Sequence, residues 1–350
     1  MDKRFFSIVF FGVLAGASIV LLLFIVSRFL RTEYGSNGFV RTSHINALIP
    51  EGFLDTGHSS FLIIGGTSSS IFLARNGSRS NVLVVSKDLK DTSKIKLSIP
   101  DIRRMSPVLA IDSPDFYMMD GGVRCMAYGT LGCAVSTKSV SIFSQFTASV
   151  PISPHSYVIR TYDTTLRQNI LAKISIRSGE ISRYVLEKQK DGIFCTDGKL
   201  KYDFDKKLLM YMYYYRNQFV CLDTNLNVVY KGNTIDTTTH ANIDVSEIES
   251  KRYSGVRTSM LSTPPRSINK NLCITDSLLL IQSSIAADNE DIERFENSSV
   301  LDVYSMLNRK YKFTLYIPDL NGRKIQSLYA KENRLYIVVD KSIFLYRMNF

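Results

Sequence analysis

Several residue types are scarce in this chain of 350 residues, which has no tryptophan, 9 prolines, 19 glycines and 5 cysteines. The low proline and glycine content excludes collagen-like and proline-rich disordered classes. So few cysteines exclude a small disulfide-dense secreted scaffold. Because 45% of the residues are hydrophobic and only 21% are charged, the chain can bury a large core. The composition therefore predicts a folded globular protein.

Local catalytic motifs are also missing. The sequence contains no G-x-S-x-G elbow, no Walker-type phosphate loop and no G-x-G-x-x-G after a strand, which disfavours the common hydrolase and nucleotide-binding classes. The four histidines, at positions 44, 58, 155 and 240, form no local metal motif, and no cysteines form a C-x-x-C pair. From the residues alone we predict no cofactor and no metal site.

The charge balance is basic, with 43 lysines and arginines against 32 acidic residues and a formal net charge of +11. The basic residues are dispersed along the chain, and no recognisable nucleic-acid-binding module accompanies them. A weakly basic, solvated surface near a membrane is favoured, and no nucleic-acid partner is predicted.

The amino-terminal region is strongly apolar, because residues 5–26 contain no charge. At 1.5 Å per residue, these 22 residues match the ~30 Å hydrocarbon core of a bilayer. A signal peptide, the alternative, has an apolar region of about 7–15 residues before its cleavage site. We therefore predict an uncleaved signal-anchor at residues 1–31 and a single-pass inner-membrane protein. Its main domain is expected to be extracytoplasmic, in the periplasm.

The rest of the chain shows an all-β pattern. Residues 60–350 divide into six groups of short strands separated by turn residues, with a spacing of about 48 residues that is typical of propeller blades. The third and last groups show three strands each. Residues 32–59 are predicted to be a stalk in which residues 45–49 supply the missing strand of the last blade. A six-bladed β-propeller-like domain is predicted, with a large β-sandwich as the alternative.

Two polar stretches interrupt this pattern, at residues 236–262 and 286–299. Both are longer than an ordinary blade turn, and long insertions in a compact domain are often functional. Mobile surface decoration is the equally weighted alternative.

Short motifs in the second half of the chain resemble a known family. They are residues 191–198 (DGIFCTDG), 213–219 (YYYRNQF), 234–237 (TIDT) and the runs at 301–304 and 316–318. In these motifs the chain is similar to an uncharacterised bacterial family with one amino-terminal membrane span and a six-bladed propeller-like domain. The resemblance implies the fold and the anchor, and it carries over no catalytic residue.

The densest local feature is the aromatic and polar segment around residue 215. On a strand that ends in a turn, aromatic rings, a guanidinium and two amides can form a surface that stacks on and hydrogen-bonds a partner. Aromatic packing between blades is the competing interpretation. The predicted ligand- or partner-binding residues are Tyr213, Tyr215, Arg216, Asn217 and Gln218.

Two cysteines, Cys125 and Cys133, are eight residues apart across a glycine-containing turn. This spacing permits a hairpin disulfide in an oxidising compartment, while buried thiols within strands are the alternative.

Together these features predict a binding or scaffold module for an envelope or membrane partner, which would be a protein, a peptide or a glycan. The alternative is a propeller enzyme, such as a metal-dependent lyase or lactonase, with its site at the central channel. Convergence of His, Asp, Glu or Asn from separate blades on one point distinguishes the two hypotheses.

Overall fold

A computed structural model describes residues 3–32, 36–75, 80–99, 106–133, 138–142, 144–249, 257–275 and 277–350. In these ranges the strands form six four-stranded antiparallel sheets and one two-stranded hairpin. The six sheets are consecutive along the chain, and their first strands surround one central channel. The predicted six-bladed all-β propeller is confirmed.

The first half of the chain forms the amino-terminal elements and three blades. The chain begins with α1 (Lys3–Thr32) and β1 (Leu48–Asp55). Blade 1 contains β2 (Phe61–Gly66), β3 (Ser70–Arg75), β4 (Asn81–Ser86) and β5 (Thr92–Lys96), and blade 2 contains β6 (Val108–Asp112), β7 (Asp115–Asp120), β8 (Cys125–Thr130) and β9 (Lys138–Ser141). Blade 3 contains β10 (Ala148–Ser153), β11 (Ser156–Asp163), β12 (Gln168–Ser175) and β13 (Gly179–Val185).

The second half of the chain completes the ring. Blade 4 contains β14 (Gly198–Asp203), β15 (Leu208–Tyr213), β16 (Gln218–Leu222) and β17 (Val228–Asn233), and it is followed by a hairpin of β18 (Val245–Glu249) and β19 (Arg257–Leu261). Blade 5 contains β20 (Asn269–Ile274), β21 (Leu278–Ser283), the short helix α2 (Ile292–Glu296), β22 (Ser298–Ser305) and β23 (Tyr311–Pro318). Blade 6 contains β24 (Ser327–Lys331), β25 (Arg334–Val339) and β26 (Ser342–Met348).

Burial differs between the middle and the outer strands of a blade. The second strands, such as β15 and β21, are buried along almost their whole length because both of their faces pack against neighbouring blades. The outer strand β13 instead alternates between exposed and partly buried residues, with one face in solvent. The core is therefore a series of apolar layers between adjacent blades.

Blade 3 has one strand more than the sequence pattern indicated. The additional strand, β10, is the innermost strand of the blade and pairs with β11. Its sequence contains Pro151, which cannot donate a backbone hydrogen bond, so the segment does not look like a regular strand. Proline is tolerated there because one edge of an innermost strand faces the channel.

The ring is closed by the amino-terminal part of the chain. Strand β1 pairs antiparallel with β26 as the outermost strand of blade 6, with Leu48 opposite Met348 and Phe53 opposite Phe344. The closing strand thus lies a few residues later than the predicted residues 45–49. Closure covers the edge that β26 would otherwise expose.

The insertion at residues 286–299 holds the segment that precedes β1. The Asp288 carboxylate accepts hydrogen bonds from Ser36 Oγ at 2.8 Å, from the Asn37 backbone N–H at 2.6 Å and from the Gly38 backbone N–H at 3.0 Å. We call Arg41, Asp288, Glu290 and Asp302 the N-terminal clamp. This insertion is a structural contact for the chain entering the propeller.

The other insertion, at residues 236–262, carries the β18–β19 hairpin. Ala241 and Ile243 are buried at its base in a small apolar cluster with Cys195. Residues 250–256 lie outside the described residues.

The membrane prediction is wrong for the described part of the chain. No helix there is both long enough and apolar enough to cross a membrane. In α1 the side chains of residues 10–26 are exposed. The prediction of a single-pass inner-membrane protein with a periplasmic domain is therefore corrected.

Candidate functional site

The predicted binding residues lie at the turn between β15 and β16. Tyr213 and Arg216 are 1% and 0% exposed, and Asn217 is buried, while Tyr215 and Gln218 are half-buried. The turn lies at the same end of blade 4 as the start of β14, because Tyr213 pairs with Gly198. The next residue along, Tyr214, lines the central channel. The predicted segment and the channel are therefore neighbours.

Arg216 makes its contacts within the protein. Its guanidinium carbon lies 3.7 Å from the centre of the Tyr213 ring. Its Nη2 donates to the Glu187 backbone carbonyl at 2.7 Å, and its Nη1 donates to the Cys195 carbonyl at 3.4 Å. Nε is buried without a hydrogen-bond partner among the described residues. Arg216 thus fastens the turn to the loop that leads into β14.

Asn217 and Asn269 connect this turn to two further loops. Asn217 Nδ2 donates to the Asp236 carbonyl at 2.6 Å, and its backbone N–H donates to the Thr238 carbonyl at 2.8 Å. Asn269 Nδ2, from β20, donates to the carbonyls of Tyr213 and Arg216. Of the five predicted residues, Tyr215 and Gln218 keep the most exposed surface, and a binding role for the segment stays a prediction.

The described residues enclose a cavity in the central channel. Its volume is about 580 Å³, and the first strand of every blade contributes to its wall. Ligand sites of small molecules typically have volumes of about 300–1,000 Å³. Sequence analysis named the central channel as the site of the alternative enzyme but identified none of its lining residues, because the strands that meet at the channel are far apart in sequence.

Two lysines of β14 line this channel, Lys199 and Lys201. They share one face of the strand with their cross-strand neighbours Met212 and Met210, and this face is turned toward blade 5. Burial lowers the pKa of both lysines, and the pKa of Lys199 is lowered further by the charge of Lys201. Both side chains remain partly exposed to the channel.

Carboxylates also line the channel, but their cationic partners are other groups. Asp197 pairs with Arg160, which also donates to the Gly198 carbonyl and the Tyr211 hydroxyl. Toward the other end of β14, Asp205 pairs with Lys331 at 2.6 Å. In the same region Asp203 Oδ2 lies 3.7 Å from Lys206 Nζ.

Neutral polar groups complete the wall. Ser149 Oγ and Gln326 Oε1 belong to channel-lining residues and have no hydrogen-bond partner within the described ranges. The Tyr329 ring lies against Gly66, where a Cβ atom would come within 2.8 Å of the Tyr329 hydroxyl oxygen. Burial, together with the neighbouring Cys273, raises the pKa of Tyr329, so its hydroxyl stays protonated at neutral pH.

The metal-ligating side chains and the cysteine pair considered in the sequence analysis form no site among the described residues. Among the residues with described coordinates, no group of three or more His, Cys, Asp or Glu side chains is arranged to hold a metal ion. No disulfide joins Cys125 to Cys133; Cys125 is buried at the start of β8 and Cys133 is exposed beyond its end. The six-residue strand between them extends about 16 Å, far beyond the 4.4–6.8 Å Cα separation of a disulfide.

No known family profile matches the chain, and no curated protein matches it. Several solved structures are similar to the chain in fold. A member of the DUF4221 family from Bacteroides vulgatus has a TM-score of 0.51 and 11% identity over 86% of this chain and 97% of that chain. A chain in a crystal structure of the mitotic checkpoint complex has a TM-score of 0.50 and 12% identity over 89% of this chain and 93% of that chain.

A third similar structure is a catalytically inactive virginiamycin B lyase from Staphylococcus aureus with quinupristin. Its TM-score is 0.49, with 9% identity over 85% of this chain and 99% of that chain. At such low identities the similarity of the first two structures shows the fold alone. It confirms the propeller that the family resemblance implied, while membership of that family and a bacterial source stay predictions.

Proposed function

We propose that the protein is a binding module whose ligand occupies the central channel. The supporting observation is the cavity of about 580 Å³, whose wall combines apolar surface with hydroxyl, amide and ammonium groups. Two polar atoms of lining residues, Ser149 Oγ and Gln326 Oε1, have no hydrogen-bond partner among the described residues. Polar groups inside proteins are usually hydrogen-bonded, and a bound water molecule or a ligand that reaches these atoms would supply the missing hydrogen bonds.

The volume of the cavity limits the size of the ligand that it can hold. It accommodates a small molecule, or the end of a peptide or glycan chain. The half-buried side chains of Tyr215 and Gln218 lie beside the channel end at which β14 begins, where they would contact the rest of a larger partner. The proposal takes residues 60–350 as the binding unit, completed by β1 from residues 32–59.

A variant that fills the channel tests this proposal. Ala110 lines the cavity, so Ala110→Phe reduces its volume. Val228 is 46% exposed on the outer strand β17, and Val228→Phe is the matched control. Binding of N-acetylglucosamine, tetra-alanine, succinate and inorganic phosphate is measured by isothermal titration calorimetry, after circular dichroism has established that both variants are folded.

We expect at least one of the four probes to bind the unmodified protein and Val228→Phe equally, and to lose binding in Ala110→Phe. If no probe binds, or if Ala110→Phe binds as well as the control, the channel is not the site and the proposal is wrong.

A further inference from the structure

The two channel lysines are placed so that both can reach one ligand. Lys199 and Lys201 are two residues apart on β14, so their Cβ atoms lie on the same face at a separation of about 6.6 Å. Both line the cavity. No hydrogen bond or ion pair joins either ammonium group to a residue in the described ranges. Two positive charges therefore face the same space.

The carboxylates that line the channel are Asp112, Asp197, Asp203, Asp205 and Glu332, and three of them lie against other cations. Asp197 is held by Arg160 and Asp205 by Lys331. Among the groups that influence the pKa of Lys199 and Lys201, no carboxylate contributes, whereas the Cys273 thiol lies close enough to influence Lys201. Burial raises the pKa of this thiol to about 11, so it is uncharged at neutral pH.

Burying two positive charges without an anionic partner is unfavourable, because the charges repel each other and lose their hydration. A bound anion would attract both ammonium groups. Lysine is a compact point charge with three donors, suited to phosphate and to separate carboxylate oxygens. Tyr329 lines the same cavity, and a protonated tyrosine hydroxyl can donate a further hydrogen bond to a ligand oxygen.

We propose that Lys199 and Lys201 form an anion subsite in the central channel. The ligand is a small molecule with two negative charges, either a phosphate monoester or a dicarboxylate. This inference rests on the proposed function, because it names the ligand class of the same site. Two ammonium groups match a double negative charge, and the cavity has room for the rest of the molecule.

Titration of inorganic phosphate and of succinate, each at low ionic strength and pH 7, tests the subsite. The variants are Lys199→Met, Lys201→Met and the double variant, with Lys96→Met as the control because Lys96 is exposed on the outer strand β5. We expect one of the two anions to bind the unmodified protein and the control equally. Each channel substitution should weaken it at least tenfold, and Lys199→Arg with Lys201→Arg should retain binding. The anion that binds identifies the phosphate or the dicarboxylate class.

The outcomes separate this inference from the proposed function. If N-acetylglucosamine or tetra-alanine binds in a channel-dependent way and neither anion does, the subsite is wrong and the proposed function stands. Anion binding that survives in the folded double variant also overturns the subsite. If none of the four probes binds the unmodified protein, both proposals fail together.

Discussion

Two regions of the propeller bury cations in opposite ways. In the N-terminal clamp, the Arg41 guanidinium contacts both oxygens of Asp302, with Nε at 2.8 Å and Nη2 at 2.9 Å, and Nη1 lies 2.6 Å from Glu290. In the channel, the charge that acts on Lys199 is that of another cation, Lys201. Arg41 therefore has its counter-charges within the protein, whereas Lys199 and Lys201 have no ion-pair partner among the described residues.

The pKa shifts express the same difference. Burial would lower the pKa of Arg41, but the charges and hydrogen bonds of Asp302, followed by Glu290, more than offset it, and the pKa is raised. For Lys199 and Lys201 burial also acts first, and the outcome is a lowered pKa. The shifts differ in direction because carboxylates lie beside Arg41, whereas burial acts on the two lysines without an offsetting carboxylate.

The largest effect is expected from breaking the clamp with Arg41→Met. Removing the guanidinium leaves Asp302 and Glu290 buried without a cationic partner, which costs about 3–5 kcal/mol of unfolding free energy. Urea unfolding followed by circular dichroism measures the loss. The control is Arg294→Met, which removes an exposed guanidinium 4.1 Å from the centre of the Tyr316 ring and should cost no more than about 1 kcal/mol. Equal losses in the two variants would show that the clamp is not a buried ion pair.

Arg216 is the intermediate case, a buried cation held by two carbonyls and an aromatic ring. Hydrogen bonds to a charged group contribute about 1.5–3 kcal/mol, so Arg216→Met should lose roughly that amount in the same urea experiment. Arg183→Met is the control, since the Arg183 side chain is 51% exposed in its ion pairs and such pairs contribute about 1 kcal/mol or less. A loss no larger than the control's would mean that Arg216 is available for a partner instead of being structural.

The comparison also shows which features the sequence could reveal. The repeat of about 48 residues predicted six blades because each blade must present the same alternation of buried faces. The sequence pattern did not predict strand β10, because Pro151 interrupts its apolar alternation. The polar stretch at 286–299 has no apolar periodicity, and its role became visible only through Arg41, which lies about 250 residues away in sequence.

The channel lysines illustrate the other limit. The run of residues 199–202 (KLKY) alternates lysine with apolar residues, as a half-exposed strand does. An ordinary outer strand shows the same pattern. Only the ring places β14 innermost, so that its polar face meets the channel in place of bulk solvent. A lysine-bearing first strand within a predicted blade is the signal that could have directed attention there.

The smallest expected change in unfolding free energy is a gain in stability, whereas Arg41→Met and Arg216→Met are expected to lose stability. Without ligand, Lys199→Met with Lys201→Met should stabilise the fold, because two unpartnered charges are replaced by apolar side chains of similar length. Since the channel admits water, the expected gain is on the order of 1 kcal/mol at pH 7. Lys96→Met, on an exposed strand, should change the unfolding free energy by less than about 0.5 kcal/mol.

The pH dependence of this gain has a definite direction. The folded-state pKa of both lysines lies below the ordinary value of 10.5, so the unfolded chain binds more protons between the folded pKa and 10.5. The stability of the unmodified protein therefore rises with pH through that window, relative to the double variant. Urea unfolding of both proteins from pH 7 to pH 10 should show the difference shrinking toward zero. Because the charge of Lys201 lowers the pKa of the Cys273 thiol, both proteins are compared in a Cys273→Ser background. A difference that stays constant with pH would mean that the two ammonium groups are fully solvated in the channel and have no unmet need for an anion.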